Sequence, residues 1–265
     1  MSKIQKPDAQ KIAYVVKTSV ALIRLHACGV LGGEVMPEDS NPGLPRDSEI
    51  NYLFFTLPMA LNYQRNSYRL WESAKATYED VSTHIAFLPK AVASMHMDDL
   101  RDMLLKHKVA IQPNRHTEIW MRICQTLAHN CNGSVKNLLI RNDYSVAKTK
   151  EYMVTNKKAF PYLCGTKIMN YWLYVLSQYT DAVFADNENI TIAPDTHVLQ
   201  ASVALGLIEP GDLANPSIRE IVSELWAIVL AGTGYKPIDI HTPLWLWSRG
   251  GFAVEPNKTA YTNEV

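Results

Sequence analysis

The sequence predicts an all-α fold, and three observations carry that prediction. Apolar residues recur at helical spacing along most of the 265-residue chain. Alternating runs long enough to be strands are scarce, and Ser, Asp, Asn, Pro and Gly punctuate the pattern where helices start and stop. With 47% hydrophobic and 20% charged residues, the chain can bury a core as one large domain or two small ones. Disordered and collagen-like classes are thereby excluded.

The first helix runs from about Asp8 to Gly29 and ends near Gly29, Gly32 and Gly33. Its apolar stretch, Ile12 to Val30, carries Lys17, Arg24 and His26, which marks a buried helix and not a membrane span. A connector rich in Pro, Asp, Asn and Gly follows, Met36 to Asp47, and a domain crossing is placed there. The second helix starts with Asp47 or Ser48 as N-cap and passes through Leu53, Phe54, Leu57 and Leu61, with a kink expected at Pro58. Further helices are expected at 70–77, 78–87, 97–106, 114–129, 134–140, 145–155, 166–179, 194–205 and 215–231, joined by short loops.

The N-terminus, MSKIQKPDAQK, lacks the basic-then-apolar layout of a signal peptide, so a cytoplasmic protein is expected, nucleoid-associated in a prokaryote. Cys28, Cys124, Cys131 and Cys164 form no C-x-x-C pair. They read as free thiols in a reducing compartment, and zinc ribbons and four-cysteine iron–sulfur loops are disfavoured. Net charge is zero, 26 basic against 26 acidic side chains, but it is unevenly spread. Residues 101–170 hold 12 basic and 4 acidic side chains, and residues 171–265 hold 4 and 11. Such polarity focuses a polyanion onto one part of the molecule; its plainer explanation is a solvated helical surface.

The informative stretch is Phe160-Pro161-Tyr162-Leu163-Cys164-Gly165-Thr166-Lys167, followed by a helix and then Ala193-Pro194-Asp195-Thr196-His197-Val198. It resembles the helix–hairpin–helix base-excision DNA glycosylase superfamily, whose hairpin reads roughly L-P-G-V-G-x-K and precedes a V-D-x-H-V-like segment. Within it, Gly165-Thr166-Lys167 looks most like the 8-oxoguanine DNA glycosylase/AP lyases. The resemblance implies a helix–hairpin–helix at about 155–179, with Lys167 as the amine nucleophile and Asp195 as its partner carboxylate. An amine attacking C1′ displaces the base and leaves an imine, which permits β-elimination of the 3′ phosphate. A carboxylate stabilises the developing positive charge and helps move protons. The backbone of Leu163, Gly165 and Lys167 is the expected phosphate anchor, and His197 is placed against DNA.

A second stretch, Leu57-Pro58-Met59-Ala60-Leu61-Asn62-Tyr63-Gln64-Arg65, resembles the family's L-S-Q-Q-T helix end, which fills the gap left by a flipped nucleotide. Asn62, Gln64 and Arg65 inherit that role by resemblance, offsetting part of the unstacking cost. The base pocket needs flat or apolar walls. The family takes one from the residue four after the lysine, here Tyr171, with Trp172 adjoining, and the other from the C-terminal helix, here Trp245 or Trp247. The sequence departs from the family at the first hairpin glycine, where Leu163 or Cys164 stands.

Each residue also has a plainer role. Lys167 fits a surface lysine after a glycine turn, Asp195 fits a helix N-cap, and both Asp195 roles are compatible. Tyr171 and Trp172 fit core packing, and of Trp245 and Trp247 one packs while the other is free. A zinc- or manganese-type site from His197, Asp239 and His241 is conceivable, although Asp-x-His has little metal specificity.

The resulting expectation is two helical domains with an interdomain DNA-binding cleft: a helical barrel of residues 51–187, and a second domain of residues 1–50 plus 188–265. The expected protein is a monomeric bifunctional glycosylase/AP lyase acting on double-stranded DNA with a damaged base, without metal or other cofactor. A non-catalytic helix–hairpin–helix binding module and a helical metal-dependent hydrolase are the alternatives.

Overall fold

The computed structural model describes residues 7–32 and 36–258; Gly33, and with it the end of the expected first glycine cluster, lies outside the described residues. Among the described residues there are twelve α-helices and no strand. The all-α expectation therefore holds, and no described helix is long and apolar enough to cross a membrane.

The described residues of Met1–Glu34 and Ile190–Val265 form one compact unit, and those of Val35–Asn189 another. In the discontinuous unit, α1 (Ala9–Ala27) starts where Asp8 accepts the Lys11 N–H at 2.7 Å. α10 (Thr196–Ala204), α11 (Ile218–Leu230) and α12 (His241–Arg249) complete it. Val15 and Leu22 of α1 pack with Val198, Val222, Trp226 and Leu244 in one apolar cluster. The Trp226 indole N–H, buried in that cluster, donates to Ser202 at 3.0 Å, as a buried polar atom must.

The continuous unit holds α2 (Glu49–Thr56), α3 (Ser67–Glu79), α4 (Pro89–Ala93), α5 (Met97–Lys106), α6 (Pro113–Cys131), α7 (Val135–Arg141), α8 (Val146–Thr155) and α9 (Thr166–Tyr179). Phe54 is its aromatic centre, with the rings of Phe55, Trp71, Tyr78 and Phe87 within 5.3–6.0 Å. Two helices receive their N-terminal caps from carboxylates far away in sequence. Glu49 accepts the Val135 N–H of α7 at 2.5 Å, and Asp186 accepts the Val146 N–H of α8 at 2.5 Å. The stretch 181–189, polar and without helical pattern, thus has a structural job.

Several expectations need correction. The expected boundary at residue 51 moves to 35, because residues 36–50 pack in the continuous unit: Trp71 donates to Glu38 at 2.9 Å, and Arg46 donates to the Thr180 carbonyl at 2.5 Å. Pro58 does not kink one long helix. α2 stops at Thr56, and Pro58 opens a separate 3₁₀ turn, Pro58–Leu61, where its missing N–H costs nothing. No helix spans 78–87; α3 ends at Glu79 and a 3₁₀ turn covers His84–Phe87, while α4 begins on Pro89, which closes the preceding segment.

α9 is anchored in the core of this unit. Its Trp172 is fully buried and donates its indole N–H to Thr56 Oγ1 at 2.9 Å. Thr56→Val keeps the shape and removes that acceptor, so we expect a loss of about 1–3 kcal/mol from the orphaned indole N–H. Urea unfolding checks this, and an unchanged midpoint would contradict the assignment.

Candidate nucleic-acid interface

α9 carries Lys167 in its first turn, with the side chain exposed. Tyr171, four residues on, shares that face of the helix and is half-buried. The Tyr171 hydroxyl bonds to the carboxyl of Glu38, which is 1% exposed and also accepts the Trp71 indole N–H at 2.9 Å. Sequence reasoning missed both Glu38 and Trp71, since a Pro-Glu-Asp in a loop reads as solvent-facing connector. Burial lifts Glu38 from its ordinary 4.5 to about 7, with neighbouring Asp39 adding to the rise and the bonds from Tyr171 and Trp71 opposing it. Trp172, expected beside Tyr171 as a pocket wall, is a core residue instead: at i+5 from Lys167 it points to the opposite, buried side.

Further along α9, Tyr179 donates to Asp39 at 2.9 Å and Asn51 donates to the Tyr179 carbonyl at 2.9 Å. Tyr52 donates to Asp181, just past the helix, at 2.5 Å. The helix that presents Lys167 is therefore tied along its length to residues 38–56.

Residues 156–165 connect α8 to α9. Phe160 and Leu163 are fully buried and pin the turn, and Thr126 of α6 donates to the Ala159 carbonyl at 3.0 Å. The left-handed residue of this connection is Tyr162, φ 61°, next to the Leu163–Cys164 pair that stands where the family has its glycine. An aromatic residue there is strained by about 1–3 kcal/mol. Gly165 allows a close approach, since a Cβ at that position would lie 3.2 Å from the Tyr162 carbonyl. The expected phosphate anchor needs correction: the Leu163 N–H donates to Pro161 at 2.7 Å and the Gly165 N–H to Tyr162 at 3.0 Å, so both are engaged within the turn. Gly165 supplies no side-chain cap to α9.

The loop after the 3₁₀ turn Pro58–Leu61 meets this connection. Tyr63 and Tyr162 have ring centroids 5.5 Å apart, and the Arg115 guanidinium lies over Tyr162 at 4.8 Å. Asn62 and Arg65, the other two expected gap fillers, have internal partners. Asn62 accepts from Ser67 at 3.0 Å, and Arg65 donates to the Val109 carbonyl at 2.6 Å and the Lys108 carbonyl at 3.2 Å. Gln64 is exposed, with φ 49°. The buried His116 accepts the Ile111 N–H at 3.2 Å; burial, then Arg65 and Arg115, lower it to about 4, so it is neutral in that bond at ordinary pH.

In the discontinuous unit, Asp195 is the N-cap of α10, accepting the Val198 N–H at 2.9 Å with its carboxylate half-exposed. His197 Nδ1 lies 3.2 Å from Ser248 Oγ, and its ring meets Trp245 edge-on at 5.7 Å. Arg249 covers Trp245 at 4.9 Å. Trp247 is the packing member of the pair, 8% exposed and donating to the Val254 carbonyl at 2.8 Å, so it offers no pocket wall. Asp239 accepts the Lys236 N–H at 2.8 Å as a local cap, and no trio of His, Cys, Asp or Glu among the described residues is placed to hold a metal. The metal-dependent alternative therefore lacks a ligand set there.

A second amine also escaped the sequence reading. Lys150 is half-buried on α8, donates to the Asn189 carbonyl at 2.6 Å, and is lowered to about 8 by burial.

Glu38 makes stability depend on pH with a definite sign. Between 4.5 and about 7 the folded chain keeps a proton that the unfolded chain releases, so this stabilisation is full below 4.5 and lost as pH rises through 7. The span corresponds to about 3 kcal/mol. Glu38→Gln should flatten the fall in urea midpoint between pH 5 and pH 8; an equal fall in both proteins would contradict this. Comparison with protein-family models and with curated proteins finds no match for this chain.

Proposed function

We propose that the chain is a bifunctional DNA glycosylase/AP lyase that removes an oxidised purine, with 8-oxoguanine the first candidate, from double-stranded DNA. The observation that supports this reading best is the placement of Lys167: exposed in the first turn of a helix whose remainder is locked into the core, one turn before half-buried Tyr171. A nucleophile must be accessible yet fixed in direction, and a rigid helix start meets both needs. The excess of basic residues over 101–170 supports a polyanionic partner.

In the proposed reaction, the neutral Lys167 amine attacks C1′ of the flipped nucleotide. The glycosidic C1′–N bond breaks, its electron pair leaves with the base, and the base takes up a proton. The resulting N,O-acetal opens to a protonated imine as the C1′–O4′ bond breaks and O4′ takes up a proton, and loss of the C2′ proton then expels the 3′ phosphate. Asp195 stabilises the positive charge that develops on the sugar and relays protons. No metal or redox cofactor enters these steps. Tyr171 and Trp245 are the proposed base-contacting rings, Gln64 the proposed gap filler and His197 a DNA contact, and the protein acts as a monomer.

The test is base release and strand nicking on duplexes carrying single lesions. Lys167→Gln should abolish both, and Asp195→Asn should slow base release by about 10²–10⁴-fold. Asn is as good an N-cap as Asp, so the second variant should unfold with the wild-type midpoint. Base release by Lys167→Gln at the wild-type rate would overturn the reading. Duplex binding with no release from any lesion would favour a binding module without chemistry.

A further inference from the structure

Tyr63, Tyr162 and Arg115 form a layered group that no step of the proposed reaction uses. They come from three separate segments: the loop after residue 61, the 156–165 connection, and the first turn of α6. Arg115 lies over Tyr162 at 4.8 Å, and Tyr162 meets Tyr63 at 5.5 Å with the rings inclined by 51°. Tyr63 is 45% exposed, so the outer layer of the group faces solvent.

The backbone is strained to hold these rings. Tyr162 and Gln64, next to Tyr63, both sit at positive φ, 61° and 49°. A bulky residue in the left-handed region is maintained only where the surroundings over-determine it. Here they do. Arg65 fixes the backbone of the 108–112 loop through the Lys108 and Val109 carbonyls, and His116 accepts the N–H of Ile111 in the same loop. Ile111 is 49% exposed. Beneath the rings, Leu61, His116 and Ile119 close the space, so recognition falls to the outer face.

Charge indicates what that face takes. Lys157 and Lys158 are exposed on the same connection as Tyr162 and form no ion pair among the described residues. Lys108 and Arg115 are exposed as well, against one exposed carboxylate on this part of α6, Glu118. Exposed aromatic faces set among cations suit a planar π-system attached to a phosphate chain.

We propose that Tyr63, backed by Tyr162 and Arg115, is a stacking platform for an unpaired nucleobase of a DNA strand. The proposal rests on the DNA reading above and adds to it a residue group to which the resemblance assigns no role. The platform recognises a π-face and is indifferent to base identity.

The experiment measures binding of the full chain to two probes: a duplex with a tetrahydrofuran abasic analogue opposite 2-aminopurine, and a single-stranded oligothymidine. Tyr63→Ala should weaken binding of both by about 5- to 100-fold and abolish the change in 2-aminopurine fluorescence, whereas Tyr63→Phe should bind as the wild type. Tyr162→Gly removes the second ring and relieves the positive φ, so its thermal midpoint should equal or exceed the wild-type value while binding weakens. A purely structural tyrosine would give the opposite pairing, a lower midpoint with affinity intact. If the wild type nicks lesion duplexes but Tyr63→Ala binds both probes equally well, the platform is overturned and the glycosylase reading stands. If the wild type binds neither probe, both are overturned together, and a peptide ligand becomes the occupant to seek.

Discussion

The position of α9 depends on side chains reaching in from residues 38–56. Glu38 bonds to Tyr171, Thr56 accepts from Trp172, Asp39 accepts from Tyr179, and Asn51 donates to the Tyr179 carbonyl. Each bond sets a different point along the helix, so rotation or sliding of α9 breaks several at once. Lys167 inherits its direction from that anchoring, because the first turn of a helix goes where the rest of the helix is held. A buried carboxyl is a costly tie unless protonated or well bonded; burial lifts Glu38 to about 7, and two aromatic donors bond it.

Internal hydrogen bonds also limit what the surface near α9 offers to a partner. The Leu163 and Gly165 N–H groups close the connecting turn, and Asn62 and Arg65 support their own neighbourhoods. What faces outward is aromatic and cationic instead: Tyr63, with Tyr162 and Arg115 behind it. Strain at Tyr162 sits beside these groups and not in the core, the usual location of strain that serves binding.

The helices were largely legible because their signals are local. α9 starts one residue after Gly165, α6 starts on Pro113, and Asp195 caps α10 as Pro-Asp-Thr suggested. Pro58 and Pro89 misled because proline permits a break, a kink or a first turn alike, and tertiary packing chooses among them. The site was legible only where a motif carried it. Trp172 and Trp247 looked like ligand-facing rings, but helical phase relative to the core decides that, and one sequence leaves the phase of a mostly apolar helix open. Glu38 and Trp71 form a pair across 33 residues, and no local pattern announces such a bond. The left-handed Tyr162 was equally hidden, since glycine or asparagine is the usual sign of that conformation.

Two amines in the continuous unit are candidates for the proposed nucleophile: Lys167, exposed at the start of α9, and Lys150, half-buried and lowered to about 8. The most direct measurement is to incubate the protein with an 8-oxoguanine duplex in borohydride, digest the trapped complex, and locate the sugar remnant by mass spectrometry. Lys167 as nucleophile predicts a single modified peptide carrying the remnant on that residue. A remnant on Lys150 or any other lysine, or base release with no trapped complex, would contradict it.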